Sequence, residues 1–265
     1  MTVAESETSA TYEAFAPYYD AFTFESDYEA WARETLALAR RHGLRGERLL
    51  DLACGTGKSF MPFLERGFSV TACDLSTAML AEAAGRGPGV RLVQADIRAL
   101  PELGRFDLVT CFDDALNYLL DEDELAAAFD GMRASLAHGG IAVFDLNSLH
   151  AYRTTFASHS VSESDGLVFA WRGLSSPGLP AGGEAAARLD IFAPSEGELY
   201  SRVTVTHRQR HFPRPRVEAL LRRGGLECLS ARGVLPDCSL VEPADESVHP
   251  KVVYIATHTR GGDAE

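Results

Sequence analysis

Four short runs in this chain combine residue types that bind and transform small molecules. The first is Asp51-Leu52-Ala53-Cys54-Gly55-Thr56-Gly57-Lys58-Ser59. An apolar stretch leads into it, and its glycines let a ligand approach the backbone without a Cβ in the way. A helix that follows such a turn offers unpaired N–H groups and a partial positive charge. The others are Asp74-Leu75-Ser-Thr-Ala-Met79, Gln94-Ala-Asp96-Ile97 and Cys111-Phe112-Asp113-Asp114-Ala-Leu-Asn117-Tyr118. Each begins where an apolar stretch ends, and each brings a carboxylate to that point. A carboxylate there can accept hydrogen bonds from sugar hydroxyls or from an exocyclic amine.

The elements that must position these runs alternate. Strands are expected over 48–53, 68–74, 90–95, 106–112 and 141–146, and helices over 58–66, 76–84 and 125–137. Asp121 and Glu124 have capping-box spacing before the last of these, and Gly139-Gly140 stand as its stop. This rhythm calls for an α/β fold with a doubly wound parallel sheet and helices on both faces. Ligands in such sheets bind beyond the C-terminal strand ends, where strand order reverses.

The rhythm breaks after Asn147. Strand-like runs at 168–171, 188–193 and 199–212 make 148–212 a β-rich insertion that covers the acceptor. Val203, Val205, His207, Gln209 and His211 share one face of its last strand. A helix over 215–223 and strands over 226–231 and 252–257 return to the core sheet. Upstream, residues 1–10 are polar and expected to be irregular. Tyr12, Phe15, Tyr18, Tyr19, Phe22, Phe24, Tyr28 and Trp31 form an aromatic cluster, either core packing or a lid. A helix is expected from Tyr28 to His42. The division is therefore 1–46 (lid), 47–147 (core), 148–212 (insertion) and 213–265 (closing elements), with a loose tail at 260–265.

Composition narrows the function. The net charge of −13 argues against nucleic acid as a partner. No apolar run reaches membrane-spanning length, and the N-terminus has no charged, apolar leader, so the expected location is cytoplasmic. Five cysteines with no CxxC spacing read as reduced thiols, with no metal site. Basic residues are almost all arginine; the lysines are Lys58 and Lys251.

The glycine turn has three readings. A P-loop requires a further glycine where Leu52 stands. A dinucleotide fingerprint requires one where Phe60 stands, so a nicotinamide-dependent oxidoreductase is disfavoured. With all four runs taken together, the chain resembles the class I S-adenosylmethionine-dependent methyltransferases. Within them it resembles the small-molecule branch of glycine N-methyltransferase and sugar N-methyltransferases. The likeness covers about 12–147 and, more weakly, the C-terminal elements. It implies a seven-stranded Rossmann-like sheet with S-adenosyl-L-methionine as cofactor.

It also implies roles. The Ala53, Cys54, Gly55 and Gly57 backbone would hold the methionine end and Asp74 the ribose. Leu75 and Met79 would pack on adenine, with Asp96 and Ile97 meeting its edge. Cys111 and Phe112 would lie near the methyl group, Asn117 would contribute to the cofactor site, and Tyr12, Tyr19 or Tyr28 would contact the cofactor carboxylate.

Methyl transfer is an in-line displacement in which positioning supplies much of the rate. Candidate catalytic residues are His207, Asp113 and Tyr12, with His150 and His211 as further bases. Asn117, Tyr118, Asn147, Tyr152, Arg153, Trp171 and His207 are candidates for the acceptor site. Seven arginines between 202 and 223 either recognise an anion or form a solvated face. The expected acceptor is a small molecule, first an amine of a secondary metabolite or amino sugar. An O- or C-methyltransferase acting on an aromatic or indole-like metabolite is the alternative, and a non-catalytic S-adenosylmethionine-binding protein a distant one. Either a monomer or a homodimer is compatible with the sequence.

Overall fold

The computed structural model describes residues 3–197 and 199–259, with side chains from residue 10 onward. The expected loose tail, 260–265, lies outside the described residues. Strands β1 (Arg48–Leu52), β2 (Ser69–Asp74), β3 (Arg91–Gln94), β4 (Phe106–Cys111) and β5 (Leu136–Asn147) form the first half. Strands β6 (His159–Ser164), β7 (Leu167–Gly173), β8 (Glu184–Pro194) and β9 (Tyr200–Arg210) form the insertion. Strands β10 (Leu226–Val234), β11 (Leu240–Val241) and β12 (Lys251–His258) close the chain.

Among the described residues, eight strands make one sheet in the order β11-β10-β12-β5-β4-β1-β2-β3. The seven-stranded expectation is met, with the two-residue β11 added at one edge. The pairs from β3 to β5 are parallel, and β12 runs antiparallel between β5 and β10. Strand order reverses between β1 and β4, which opens a crevice above their C-terminal ends.

Apolar side chains on both faces of the sheet explain the two helical layers. On one face lie α2 (Tyr28–Arg41), α3 (Met61–Glu65) and α4 (Thr77–Arg86), contributing Leu36, Phe63 and Ala83 to one core. On the other lie α5 (Glu122–Ser135) and α7 (Arg214–Arg223), contributing Phe129 and Leu221 to a second. Side-chain caps start three of these helices: Asp27 accepts from the Ala30 N–H, Ser76 from Met79 and Asp121 from Glu124.

The insertion is a four-stranded antiparallel sheet, β6-β7-β8-β9. Helix α1 (Val3–Phe22) packs on it, and Phe15 meets Phe169, Leu189, Ile191 and Val205 there. A short helix, α6 (Leu149–Arg153), joins this sheet to β5. No described helix is long and apolar enough to cross a membrane.

Four local expectations change. Residues 3–10 continue α1 instead of being irregular, because extending a helix anchored by buried Phe15 and Ala16 costs little once it is nucleated. The helix expected from residue 58 begins at Met61, after the turn. Gly139-Gly140 do not stop α5, which ends at Ser135; they lie inside β5. A Cβ on Gly140 would come within 2.9 Å of the Phe106 carbonyl oxygen, so this position admits only glycine as β5 shifts register along β4. Strand β6 carries no apolar alternation, being exposed along nearly its whole length, and this hid it from the sequence.

Candidate functional site

A cavity opens above the C-terminal ends of the core strands, with about 1030 Å³ of empty space including its mouth. Residues from all four runs line it: Ala53, Cys54 and Gly55; Asp74 and Leu75; Asp96 and Ile97; Phe112 and Asp113. Tyr12, Tyr19, Tyr28 and Tyr118 complete the wall.

The glycine turn is left-handed at Ala53 (φ 52°), Gly55 (φ 54°) and Gly57 (φ 89°). Gly55 faces the cavity. Gly57 does not: a Cβ there would lie 2.6 Å from Phe60 Cζ. Phe60, the residue that breaks the dinucleotide fingerprint, is fully buried and occupies that space. Asp74 ties the first two runs together. Its Oδ2 accepts from the Gly55 N–H at 2.8 Å and its Oδ1 from the Ser76 N–H at 2.9 Å. Burial raises the Asp74 carboxyl above its ordinary range, and the backbone donors oppose that rise.

Asp96 is partly committed within the protein, since the Arg98 guanidinium donates to it at 2.5 Å and also reaches Glu124 at 2.8 Å. Burial would raise Asp96, but the bonds from Arg98 outweigh it and hold the carboxyl below its usual range. Leu75, Ile97 and Phe112 supply apolar wall. Met79 and Cys111 do not line the cavity: both are fully buried in the core behind it, and burial pushes the Cys111 thiol well up.

At the end of β4 the backbone is left-handed at two consecutive aspartates, Asp113 (φ 61°) and Asp114 (φ 54°). Each such residue costs roughly 1–2 kcal/mol. Asp145 of β5 holds the turn, accepting from the Asp113 N–H at 2.7 Å and the Asp114 N–H at 3.0 Å. Lys251 of β12 then donates to Asp113 Oδ1 at 2.8 Å, Asp114 Oδ1 at 2.7 Å and Asp145 Oδ2 at 3.2 Å. Tyr19 and Tyr28 donate to Asp113 Oδ2 at 3.0 and 3.2 Å. The sequence reading missed Lys251, Asp145 and Gln209, whose amide donates to Asp114. One signal was available: both lysines of this arginine-rich chain lie at the site, Lys58 on the cavity wall and Lys251 behind it, bound to Asp113.

The expected acceptor residues are less uniformly placed. Tyr118 lines the cavity, and its hydroxyl meets His207 Nδ1 at 2.7 Å. His207 lies behind it, buried, with its ring stacked on Trp171 at 5.5 Å between centroids. Burial drives its pKa down to about 4. Asn117, Asn147 and Tyr152 are internal ties. Asn117 donates to the Arg210 carbonyl at 2.8 Å, and Gln209 Oε1 accepts from Asn147 at 3.0 Å and from Tyr152 at 3.1 Å. Arg153 donates to the Leu179 carbonyl at 2.9 Å, and Trp171 to that of Thr155 at 2.8 Å. His150 pairs with the Ser247 carbonyl and His211 with Glu246, both away from the cavity. No arginine between 202 and 223 lines the cavity; Arg202, Arg208, Arg214, Arg216 and Arg223 pair with acidic side chains.

Helix α1 closes the cavity through polar ties. Asp20 accepts from Thr56 Oγ1 at 2.6 Å and pairs with Arg86, while Lys58 donates to the Thr23 carbonyl at 2.8 Å. Glu13 accepts from the Thr77 N–H at 2.6 Å, at the start of α4.

A methyltransferase domain family matches residues 49–140, the stretch that carries the four runs. YqeM of Bacillus subtilis (strain 168), whose name assigns it provisionally to the methyltransferases, is 30% identical over 242 residues, 89% of this chain and 93% of its own. The chain belongs to the S-adenosylmethionine-dependent methyltransferases. A solved S-adenosylmethionine-dependent methyltransferase from Clostridium acetobutylicum ATCC 824 superposes on this methyltransferase with a TM-score of 0.76. The identity is 26%, over 91% of this chain and 96% of that one. The dTDP-3-amino-3,6-dideoxy-alpha-D-glucopyranose N,N-dimethyltransferase of Streptomyces fradiae is 34% identical over 119 residues, 45% of this chain and 47% of its own.

The wall of the methyltransferase cavity fits S-adenosylmethionine by its chemistry. Two carboxylates stand at strand ends, apolar side chains lie between them, and a Cβ-free turn at Gly55 leaves backbone accessible. Phenol rings and an anionic aspartate face the same space, suited to a molecule with cationic centres.

Proposed function

We propose that this methyltransferase acts on the amine nitrogen of a small molecule, with an amino sugar of secondary metabolism as the first candidate. One observation carries the choice of nitrogen: the basic groups at the cavity are already committed. Asp113 is bound by Lys251, Tyr19 and Tyr28, and His207 reaches the cavity only through the Tyr118 hydroxyl. An imidazole with a pKa of about 4 is some three units weaker than a base matched to neutral pH. That difference is about 4 kcal/mol of driving force, a heavy handicap for deprotonating a hydroxyl. A free-base amine attacks without prior deprotonation. The similarity to the Streptomyces fradiae aminosugar dimethyltransferase supports the same reading.

When bound, the donor supplies an electrophilic methyl group on a sulfonium. Asp74 takes the ribose hydroxyls with the lone pairs that Gly55 and Ser76 leave open. Leu75 packs on the base, Asp96 and the Ile97 N–H meet its edge, and the Ala53–Gly55 backbone holds the methionine end. Tyr12 and Tyr118 orient the acceptor, with His207 fixing the Tyr118 hydroxyl. Residues 1–46 act as the lid and 148–212 roof the acceptor.

The test is transfer of labelled methyl from S-adenosylmethionine to a panel of amino sugars, aliphatic amines, phenols and indoles. Amines are expected to be labelled, with rate rising with pH through the pKa of the acceptor amine. Labelling confined to phenol oxygen or indole carbon would overturn the amine assignment.

A further inference from the structure

Lys251 is the point at which several of the elements around the cavity are tied together. It stands at the start of β12, paired across the sheet with Asn147 of β5. Its ammonium has three N–H donors, and three carboxylates receive them. Through Asp113 it reaches the Tyr19 hydroxyl of α1 and the Tyr28 hydroxyl of α2. Through Asp114 it reaches Gln209 of β9, in the insertion.

The three aspartates are not equivalent. The Asp145 side chain is wholly buried at 0% exposure, whereas that of Asp113 is 38% exposed and opens on the cavity. A purely internal brace needs no such open carboxylate.

We propose that Lys251 is a positioning residue for methyl transfer: its three N–H donors clamp the Asp113-Asp114 turn so that Asp113 stands as an anion on the wall of the cavity that takes the cationic donor. This rests on the donor binding in this cavity and not on the acceptor being an amine. Burial opposes the charge on Lys251, but the carboxylates outweigh it and hold the ammonium well above its ordinary value. Burial would likewise lift Asp113, and the Lys251 ammonium outweighs it, holding Asp113 below the usual carboxylate range. Asp114 takes the opposite course, pushed up to about 6 by burial and by its anionic neighbours. Burial also raises Asp145.

The phenols facing the cluster do not change charge near neutrality. Burial raises the phenols of Tyr12 and Tyr19 from α1, Tyr28 from α2, Tyr118 and Tyr152. Lys58, lowered by burial, faces Asp113 from the glycine turn and is unaltered in every variant below.

Calorimetric titration with S-adenosylmethionine and S-adenosylhomocysteine tests the proposal, because the first carries one more positive charge. Asp113→Asn leaves Lys251 paired with Asp114 and Asp145. It is expected to weaken S-adenosylmethionine roughly tenfold more than S-adenosylhomocysteine. Lys251→Met is expected to weaken the donor at neutral pH and to recover affinity between about pH 6 and pH 9, by about tenfold in all, as Asp113 ionises. The wild-type profile is expected to be flat over that range by comparison, and Lys251→Arg to restore it.

A wild-type affinity ratio in Asp113→Asn overturns the proposal, as does a Lys251→Met defect equal at every pH. If Lys251→Met does not fold, the Asp113→Asn ratio decides alone. Failure of the amine reading would appear in the methyl-transfer panel and would leave that ratio unchanged.

Discussion

Replacing Asp74 with asparagine separates the two tasks this side chain performs. Its carboxylate accepts from the Gly55 N–H at 2.8 Å and from the Ser76 N–H at 2.9 Å, one on each oxygen. Asparagine keeps one oxygen, so one of these N–H groups must face an amide N–H₂. A buried donor left unpaired costs about 1–3 kcal/mol, which for a chain of this length is a fall in Tm of roughly 2–5 °C. The second task is to accept the two ribose hydroxyls. Exchanging two bonds to a charged acceptor for one neutral bond costs about 2–3 kcal/mol, a roughly 30- to 150-fold weaker Kd. The assay is calorimetry with S-adenosylmethionine and S-adenosylhomocysteine, with thermal unfolding measured alongside. Ribose is common to both molecules, so both affinities should fall together, unlike the selective loss expected for Asp113→Asn. A Kd within about threefold of wild type, with the Tm lowered as expected, would show that Asp74 only braces the turn.

Two further changes address the scaffold. Gly57→Ala places a Cβ 2.6 Å from Phe60 Cζ at a residue with φ 89°. The left-handed strain and the overpacking together should cost about 2–5 kcal/mol in denaturant unfolding, and a loss below about 0.5 kcal/mol would refute the account. His207→Gln tests linkage. With its pKa lowered to about 4 in the folded chain and about 6.5 when unfolded, His207 contributes stability that is present above the unfolded value and lost as pH falls toward the folded one. Chemical denaturation should therefore show the variant gaining on wild type by about 2 kcal/mol from pH 7.5 to pH 5, and an unchanged gap would place the imidazole in water.

What the sequence could convey about this site followed from distance along the chain. Each of the four runs is a local object: an apolar strand that ends in a turn, with its carboxylate one or two residues away. Such a run declares both its position in the sheet and its chemistry, and for that reason the parallel core, the switch point and most of the cavity floor were readable. Phe60 was informative in the same way, although its meaning was incomplete. It argued against a dinucleotide turn, but only the packed structure shows that Gly57 lacks a side chain because Phe60 fills the space. The insertion was readable where it alternates, as in β9, and invisible in β6, where both faces meet solvent.

The tie that completes the site joins residues 138 apart, Asp113 and Lys251, and no periodicity connects them. A lone lysine at the start of a predicted closing strand resembles any solvated charge. The topology changes that, because inserting β12 antiparallel between β5 and β10 carries Lys251 back to the C-terminal end of β4. The packing of β9 against the segment that carries Tyr118 sends His207 behind Tyr118 instead of into the cavity, so a histidine on an inward strand face supports a tyrosine and does not touch the acceptor space itself. Residue type and face were legible at both positions. Depth relative to the cavity was not, since it depends on how the insertion, α1 and β12 close over the same crevice, and no one of those elements encodes where the others lie.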